Sequence, residues 1–204
     1  ELSFHTLAGN TFTDARDGNV YRTITIAGKT WLAENLRYLP GVIGPATGSS
    51  STAYYYVFGY NGTDVNTAKA SANYQTYGVL YNWAAAQTAC PSGWHLPTYE
   101  EWHDLISALG GESSAGGKLK ETGNLHWNNP NAGATNESGF AAFAGGYRND
   151  ACSFINKGAI GSWWGSSTDV KANAATMSLS YSTTAGNIYY ASKAIGFSIR
   201  CVKN

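Results

Sequence analysis

The sequence carries little charge and no excess of either sign. It has 13 Lys and Arg against 13 Asp and Glu, and charged residues make up 13% of the 204 positions, against a usual ~25%. A neutral surface does not attract nucleic acid or an anionic membrane electrostatically. No run of ~18 apolar residues occurs. We therefore expect no nucleic-acid partner and no membrane-spanning segment.

Cysteines and recognisable catalytic motifs are also scarce. Cys90, Cys152 and Cys201 are the three cysteines, too few for a disulfide-rich scaffold and too far apart for a metal motif. The chain has no nucleophile elbow, no metalloprotease motif and no glycine-rich phosphate loop. His95 and His103 have no evident third ligand, and hydrogen-bonded packing explains His95 better than metal ligation. The sequence predicts no metal, no cofactor and no catalytic residue.

Aromatic and small polar residues take the place of charge. Aromatic residues make up 14% of the chain, which also contains 24 glycines, and this argues against disorder. No charged residue occurs between Thr176 and Ser192. Such a composition is typical of surfaces that bind through aromatic faces and small polar groups.

Hydrophobic periodicity predicts strands near both ends of the chain. Residues 20–27 alternate in the period of a half-buried strand, and Thr30–Leu32 follows as a second strand after a glycine turn. Further strands are expected over residues 177–181, 187–192 and 195–202. Strands at both ends with helices between them predict one α+β domain spanning residues 1–204.

Helices are expected in the middle of the chain. The strongest signal is a helix after Thr98, because Thr98 and Glu101 form a capping box and the apolar residues that follow have helical spacing. Shorter helices are predicted over residues 81–89 and 115–121. Residues 40–77 read as a long aromatic loop, which is usually functional or mobile in a compact domain. Residues 124–147 read as packed irregular structure.

Several segments together resemble one family. They are residues 21–36 (YRTITIAGKTWLAENL), 77–83 (YGVLYNW), 90–98 (CPSGWHLPT), 136–140 (NESGF), 145–148 (GGYR), 163–168 (WWGSST) and 196–202 (GFSIRCV). In this order they resemble the Fibrobacter succinogenes major paralogous domain, a family of exported bacterial surface proteins, over about residues 10–204. The resemblance implies a C-type lectin-like fold: a small twisted antiparallel sheet, two main helices and long irregular loops.

The resemblance also implies a disulfide. In C-type lectin-like domains a cysteine of the helical region pairs with one in the last strand, and Cys90 and Cys201 match that placement. Two buried thiols are the alternative. Cys152 has no counterpart in the family pattern. It is either a tolerated thiol or a rewritten position, since residues 148–192 resemble the variable region of proteins diversified by retroelements.

The implied function is that of an exported ligand-binding module. The sequence begins at Glu1 without Met and is interpreted as a mature or trimmed chain, so the lack of a visible leader says little about export. The resemblance implies an extracellular or cell-surface location, with a lipid anchor on a preceding leader as one route to it. The partner would be a protein or glycan of a host or neighbouring cell. The predicted contact residues are Asn149, Asp150, Asn156, Trp164, Lys171, Asn173, Tyr181, Tyr189 and Tyr190.

Alternatives and scaffold residues complete the expectations. An enzyme of the formylglycine-generating or oxidase branch of the fold is one alternative, but the cysteine and histidine spacing does not supply its reactive centre. A purely structural surface domain is another.

The sequence motifs that bind calcium in sugar-binding lectins are absent, so no calcium site is expected. The residues expected to build the scaffold or core are Trp31, Trp83, Trp94, Trp102, Trp163, Arg148 and Arg200.

Overall fold

The computed structural model describes residues 10–169 and 171–204, and every structural statement below concerns these residues. The predicted single domain 1–204 therefore includes residues outside this range, among them His5 and Val170. The strands are β1 (Thr11–Thr13), β2 (Val20–Ile26), β3 (Lys29–Leu32), β4 (Tyr55–Tyr56), β5 (Leu80–Tyr81), β6 (Trp94–His95), β7 (Tyr147–Arg148), β8 (Phe154–Ile155), β9 (Ile160–Thr168), β10 (Ala174–Ser180), β11 (Gly186–Ala191) and β12 (Val202–Lys203). The helices are α1 (Val65–Lys69), α2 (Ala72–Tyr77), α3 (Trp83–Ala86), α4 (Tyr99–Ala108) and α5 (Glu112–Leu119).

Small antiparallel sheets organise the domain. A five-stranded sheet has the order β1-β2-β3-β12-β6, and a three-stranded sheet has the order β11-β10-β9. Two further pairs, β4 with β5 and β7 with β8, are short. All of the strand pairs are antiparallel, which confirms the α+β class with antiparallel sheets. No described helix has both the length and the hydropathy needed to cross a membrane.

The elements with strong local signals form as predicted. Strand β2 covers the alternating residues and pairs with β3. Helix α4 begins after Thr98, whose hydroxyl oxygen accepts the amide of Glu101 at 3.1 Å, while the Glu101 carboxylate accepts the amide of Thr98 at 2.9 Å. Because both first-turn donors are satisfied by side chains, the helix start is fixed in one place.

The prediction of a loop over residues 40–77 was wrong in part. The segment contains β4, α1 and α2, and Tyr74 in α2 is buried. The side chain of Asn82 anchors the segment to the rest of the domain. Its amide nitrogen donates to the carbonyls of Ser49 and Thr52, both at 2.7 Å, and its amide oxygen accepts the backbone N–H of Tyr54. These contacts join residues that are far apart in sequence, so no local periodicity reveals them.

The predicted strand over residues 195–202 was also wrong in most of its length. Gly196, Phe197 and Ser198 each form an isolated bridge, to Arg148, Tyr81 and Trp163 respectively, and only the last residues join β12. The segment passes between three separate elements and makes one backbone pair with each. Up to Cys201 the segment therefore connects the sheets without extending them, and only Val202 joins the larger sheet as part of β12.

Two clusters of buried side chains form the core. One contains Trp31, Trp102 and Trp163 with Phe140. The other contains Trp94 with Phe197, Ile199 and Cys201. Trp83, expected to be core, is only half-buried. Its indole donates to the carbonyl of Gly165 at 3.0 Å and lies 4.1 Å below the ammonium group of Lys193.

A disulfide joins Cys90 to Cys201 across 111 positions of sequence. It links the segment after α3 to the residue that precedes β12, as the family resemblance implied. Cys152 is a free and exposed thiol.

Buried Arg148 connects three distant segments of the fold. Its guanidinium donates to the carbonyl of Pro45 at 2.8 and 3.0 Å and to the carbonyl of Ala194 at 3.0 Å. Arg148 therefore anchors the segment of residues 40–77 to the C-terminal part of the chain. This is the scaffold role that was expected of it.

Lys120 anchors the turn between β10 and β11. Its side chain is fully buried, and its ammonium group donates to the carbonyls of Ala132, Ser180 and Thr183 at 2.8–2.9 Å. All three N–H donors are satisfied by backbone oxygens. Burial lowers the pKa of Lys120 to about 8.

We expect Lys120 to make stability depend on pH in the alkaline range. Between pH 8 and the ordinary lysine pKa of ~10.4 the unfolded chain binds more protons, so the folded state gains stability as the pH rises. The free energy of unfolding of the wild type minus that of Lys120→Met should grow by about 2 kcal/mol from pH 7 to 9.5. Urea unfolding at both pH values measures this difference, and Lys203→Met, at an exposed lysine, provides the baseline. A pH-independent difference would contradict the prediction.

Candidate ligand-binding face

The three-stranded sheet ends in an exposed edge strand, β11. In its register Tyr189 lies opposite Thr176, and Tyr190 lies opposite Ala175. Neighbouring residues of a strand point to opposite faces, so the two tyrosines occupy different faces of the same edge. Tyr189 is 42% exposed and Tyr190 is 38% exposed.

Tyr189 combines an exposed ring with an enclosed hydroxyl group. The hydroxyl lies near those of Ser162 and Ser178, and burial raises the pKa of the Tyr189 phenol. Ser162 and Ser178 are themselves buried and share a hydrogen bond at 3.0 Å. The hydroxyl group therefore fixes the position of the Tyr189 ring, while part of the ring stays exposed and can contact a partner.

Tyr190 belongs to a row of stacked rings. Its ring lies parallel to that of Tyr99, with centroids 6.0 Å apart and an interplanar angle of 6°. Tyr99 in turn stacks on His103 at 6.5 Å and 13°. We call Tyr99, His103 and Tyr190 the aromatic row. It crosses from α4 to β11 and offers aromatic surface that the sequence prediction missed, because Tyr99 and His103 read as ordinary positions of a helix.

Asn149, Asp150 and Asn156 lie in and beside the β7–β8 turn. The side-chain oxygen of Asn149 accepts the amide of Ser153 at 2.9 Å, which closes the turn. The carboxylate of Asp150 accepts the hydroxyl of Ser192 at 3.1 Å, so the turn contacts the segment that follows β11. The amide of Asn156 donates to the hydroxyl of Tyr147 at 3.2 Å.

Lys171 and Asn173 lie in the turn between β9 and β10. Strand β9 extends to Thr168, immediately before this turn. The carboxylate of Asp169 accepts the amides of Lys171 and Asn173 at 2.9 and 2.8 Å. Asn173 is therefore occupied in building the turn, whereas Lys171 is exposed.

Two predicted contact residues are less exposed than expected. Trp164 is completely buried, donates its indole N–H to the carbonyl of Tyr81 at 2.7 Å and packs on Phe197. The prediction for Trp164 was wrong because β9 is covered by core on both faces, so Trp163 and Trp164 are both interior. Tyr181 is half-buried and packs against the core cluster of Met177.

The family comparison agrees with the segments that were recognised in the sequence. The model of the Fibrobacter succinogenes major domain matches residues 24–203. The chain belongs to this family. No curated protein and no solved structure matches this Fibrobacter succinogenes major domain.

Several ionisable side chains of this Fibrobacter succinogenes major domain are used in packing and pairing. His95 is hydrogen-bonded on both ring nitrogens, to Glu101 at 2.9 Å and to Asn204 at 2.8 Å, as its packing role predicts. Across residues 10–169 and 171–204, no three His, Cys, Asp or Glu side chains are grouped as a metal site. The candidate face itself supplies hydrogen bonding and ring contacts.

Proposed function

We propose that this protein is an exported, non-catalytic module with a C-type lectin-like fold, which binds a protein or glycan through the edge strand β11 and the turns beside it. One observation carries the proposal. Among the described residues, the large hydrophobic side chains left exposed are Val20, Leu125, Tyr189 and Tyr190. Two of these four are neighbours on one edge strand, whereas Val20 and Leu125 stand apart from them in sequence.

The chemistry of this face suits noncovalent recognition. Tyrosine offers a large rigid contact area at a low cost in conformational entropy, and ring faces can stack on the C–H faces of a sugar. Exposed Asn156 and Asp150 add hydrogen-bonding groups near the β7–β8 turn. The absence of charge between Thr176 and Ser192 favours a partner that is recognised by shape and hydrogen bonding.

The disulfide supports the proposed location. Disulfides persist in oxidising compartments such as the bacterial periplasm and the cell exterior. The Cys90–Cys201 bond is thus consistent with an exported protein.

Diversification by a retroelement is part of the proposal for the β7–β8 turn. Cys152 is exposed, unpaired and has a positive φ of 61°, which is an uncommon conformation for a residue other than glycine. If a retroelement rewrites the codon at this position, a cysteine can occur there without having a structural role. Sequencing of the genomic locus tests the idea, and a locus without a reverse transcriptase and a template repeat would refute it.

Binding of the wild type and of tyrosine variants tests the proposed face. The labelled protein is applied to a glycan array and to a panel of surface proteins from host and neighbouring cells. We expect Tyr189→Ala and Tyr190→Ala to weaken binding to the partner so found by about tenfold or more, as hot-spot aromatic residues do. Leu125→Ala is the matched control, because Leu125 is exposed by 80% outside this face. Unchanged binding of both tyrosine variants would exclude the edge strand β11 as the binding site.

A further inference from the structure

A cavity of about 300 Å³ lies outside the candidate face and shares no residue with it. Its volume is at the lower end of the range for small-molecule sites. The lining residues are Arg22, Ala33, Glu34, Asn35, Arg37, Gln75, Thr76, Gly78, His126, Ala141, Phe143 and Arg200. They come from β2, the segment after β3, α2 and the irregular region, so the cavity exists only in the folded protein.

Arg200 is a buried cation on the wall of this cavity. Only 1% of its surface is exposed. Its guanidinium donates to the side-chain oxygen of Asn35 at 2.9 Å and to the carbonyls of Leu32, Phe140 and Ala141 at 2.7–3.4 Å. These are all neutral acceptors, and they occupy four of the five N–H donors.

The charge of Arg200 is retained without a direct counter-charge. Burial lowers the pKa of Arg200 to about 9, which leaves the guanidinium protonated at neutral pH. An isolated buried charge is costly unless a charge of opposite sign approaches it. In the described part of the chain no carboxylate forms an ion pair with Arg200.

Among the other charged groups of the lining, Arg37 adds to the positive potential. Arg22 forms an ion pair with Glu34 at 2.5 Å, so these two charges neutralise each other. Arg37 donates to the carbonyl of Val20 at 2.9 Å and lies over the ring of Tyr21, with no carboxylate partner among the described residues. His126 is hydrogen-bonded to Glu121 outside the lining. Three arginines and one carboxylate thus surround one cavity in a chain whose formal net charge is zero.

We propose that this cavity binds the carboxylate of an acidic monosaccharide, with a hexuronic acid as the simplest representative. A guanidinium group matches the planar geometry of a carboxylate. Arg37 supplies one here, and Arg200 adds its positive charge and its one remaining N–H donor. Gln75 and Thr76 offer an amide oxygen and a hydroxyl for the sugar hydroxyls, and Phe143 supplies an aromatic wall. The Gln75 amide nitrogen donates to the carbonyl of Lys69 at 2.8 Å. A cavity of about 300 Å³ is large enough for one sugar ring.

Titration of the ¹⁵N-labelled protein followed by NMR tests the proposal. Sodium glucuronate should shift the amide signals of Gln75, Thr76, Gly78 and Ala141 saturably. Glucose, which lacks the carboxylate, should bind more weakly by about tenfold or more. Glucuronate affinity should fall with added salt, because the contact is between charges.

Variants and a second anion separate the outcomes. Arg37→Gln, at a half-exposed position, should weaken glucuronate by about tenfold, whereas Lys171→Gln, at an exposed lysine of the candidate face, should leave it unchanged. The proposal would be overturned if glucose bound as tightly as glucuronate, or if inorganic phosphate did. It would also be overturned if Arg37→Gln bound glucuronate with the affinity of the wild type. Because the cavity and the candidate face share no residue, failure here leaves the tyrosine test standing on its own.

Discussion

Replacement of both Cys90 and Cys201 by serine is expected to lower the free energy of unfolding by about 4 kcal/mol. The disulfide closes a segment of 111 positions, and removing a cross-link over so long a loop frees much entropy in the unfolded chain. Guanidinium unfolding under non-reducing conditions measures the change. Reduction of the wild-type protein should reproduce the loss.

The third cysteine supplies the control for this experiment. Cys152 is exposed and closes no loop, so Cys152→Ser should change the free energy of unfolding by less than about 1 kcal/mol. A double serine variant as stable as the wild type would show that the bond contributes nothing. A large effect of Cys152→Ser would show that its contact with the guanidinium of Arg148, at 3.0 Å, matters more than the loop closure.

Trp164→Ala should destabilise the protein by about 4 kcal/mol, because the change leaves a cavity in the core. It also removes the indole N–H that the carbonyl of Tyr81 accepts alongside the amide of Phe197. Urea unfolding measures the difference. Tyr190→Ala, two strands away at the exposed edge, is the comparison and should cost less than about 1 kcal/mol. Similar small effects of both substitutions would mean that Trp164 is a surface residue after all.

Local patterns were enough to predict β2, β3 and the start of α4. In each case the information lies within a few neighbouring residues: alternation for β2 and the Thr98–Glu101 capping box for α4. The α+β class followed from the order of these elements along the chain. The disulfide came from the family resemblance and not from any local pattern.

Long-range packing explains what was missed. Trp163 and Trp164 are both interior because two core clusters enclose β9, and no alternation in the strand itself reveals that. The cavity around Arg200 assembles side chains from positions 22 to 200. The aromatic row joins Tyr99 to Tyr190 across 91 positions. Each of these depends on the tertiary fold, so the sequence offered only the residue types.

The position of β12 has a consequence for the order of folding. This strand lies between β3 and β6 in the larger sheet, although it is synthesised after both of them. The β2–β3 hairpin is local in sequence and can pair early, but β3 and β6 have no direct pairing that would hold them together. Contacts between distant segments slow folding. The larger sheet therefore reaches completion only after residues 202–203 have left the ribosome, and until then its two halves remain separate.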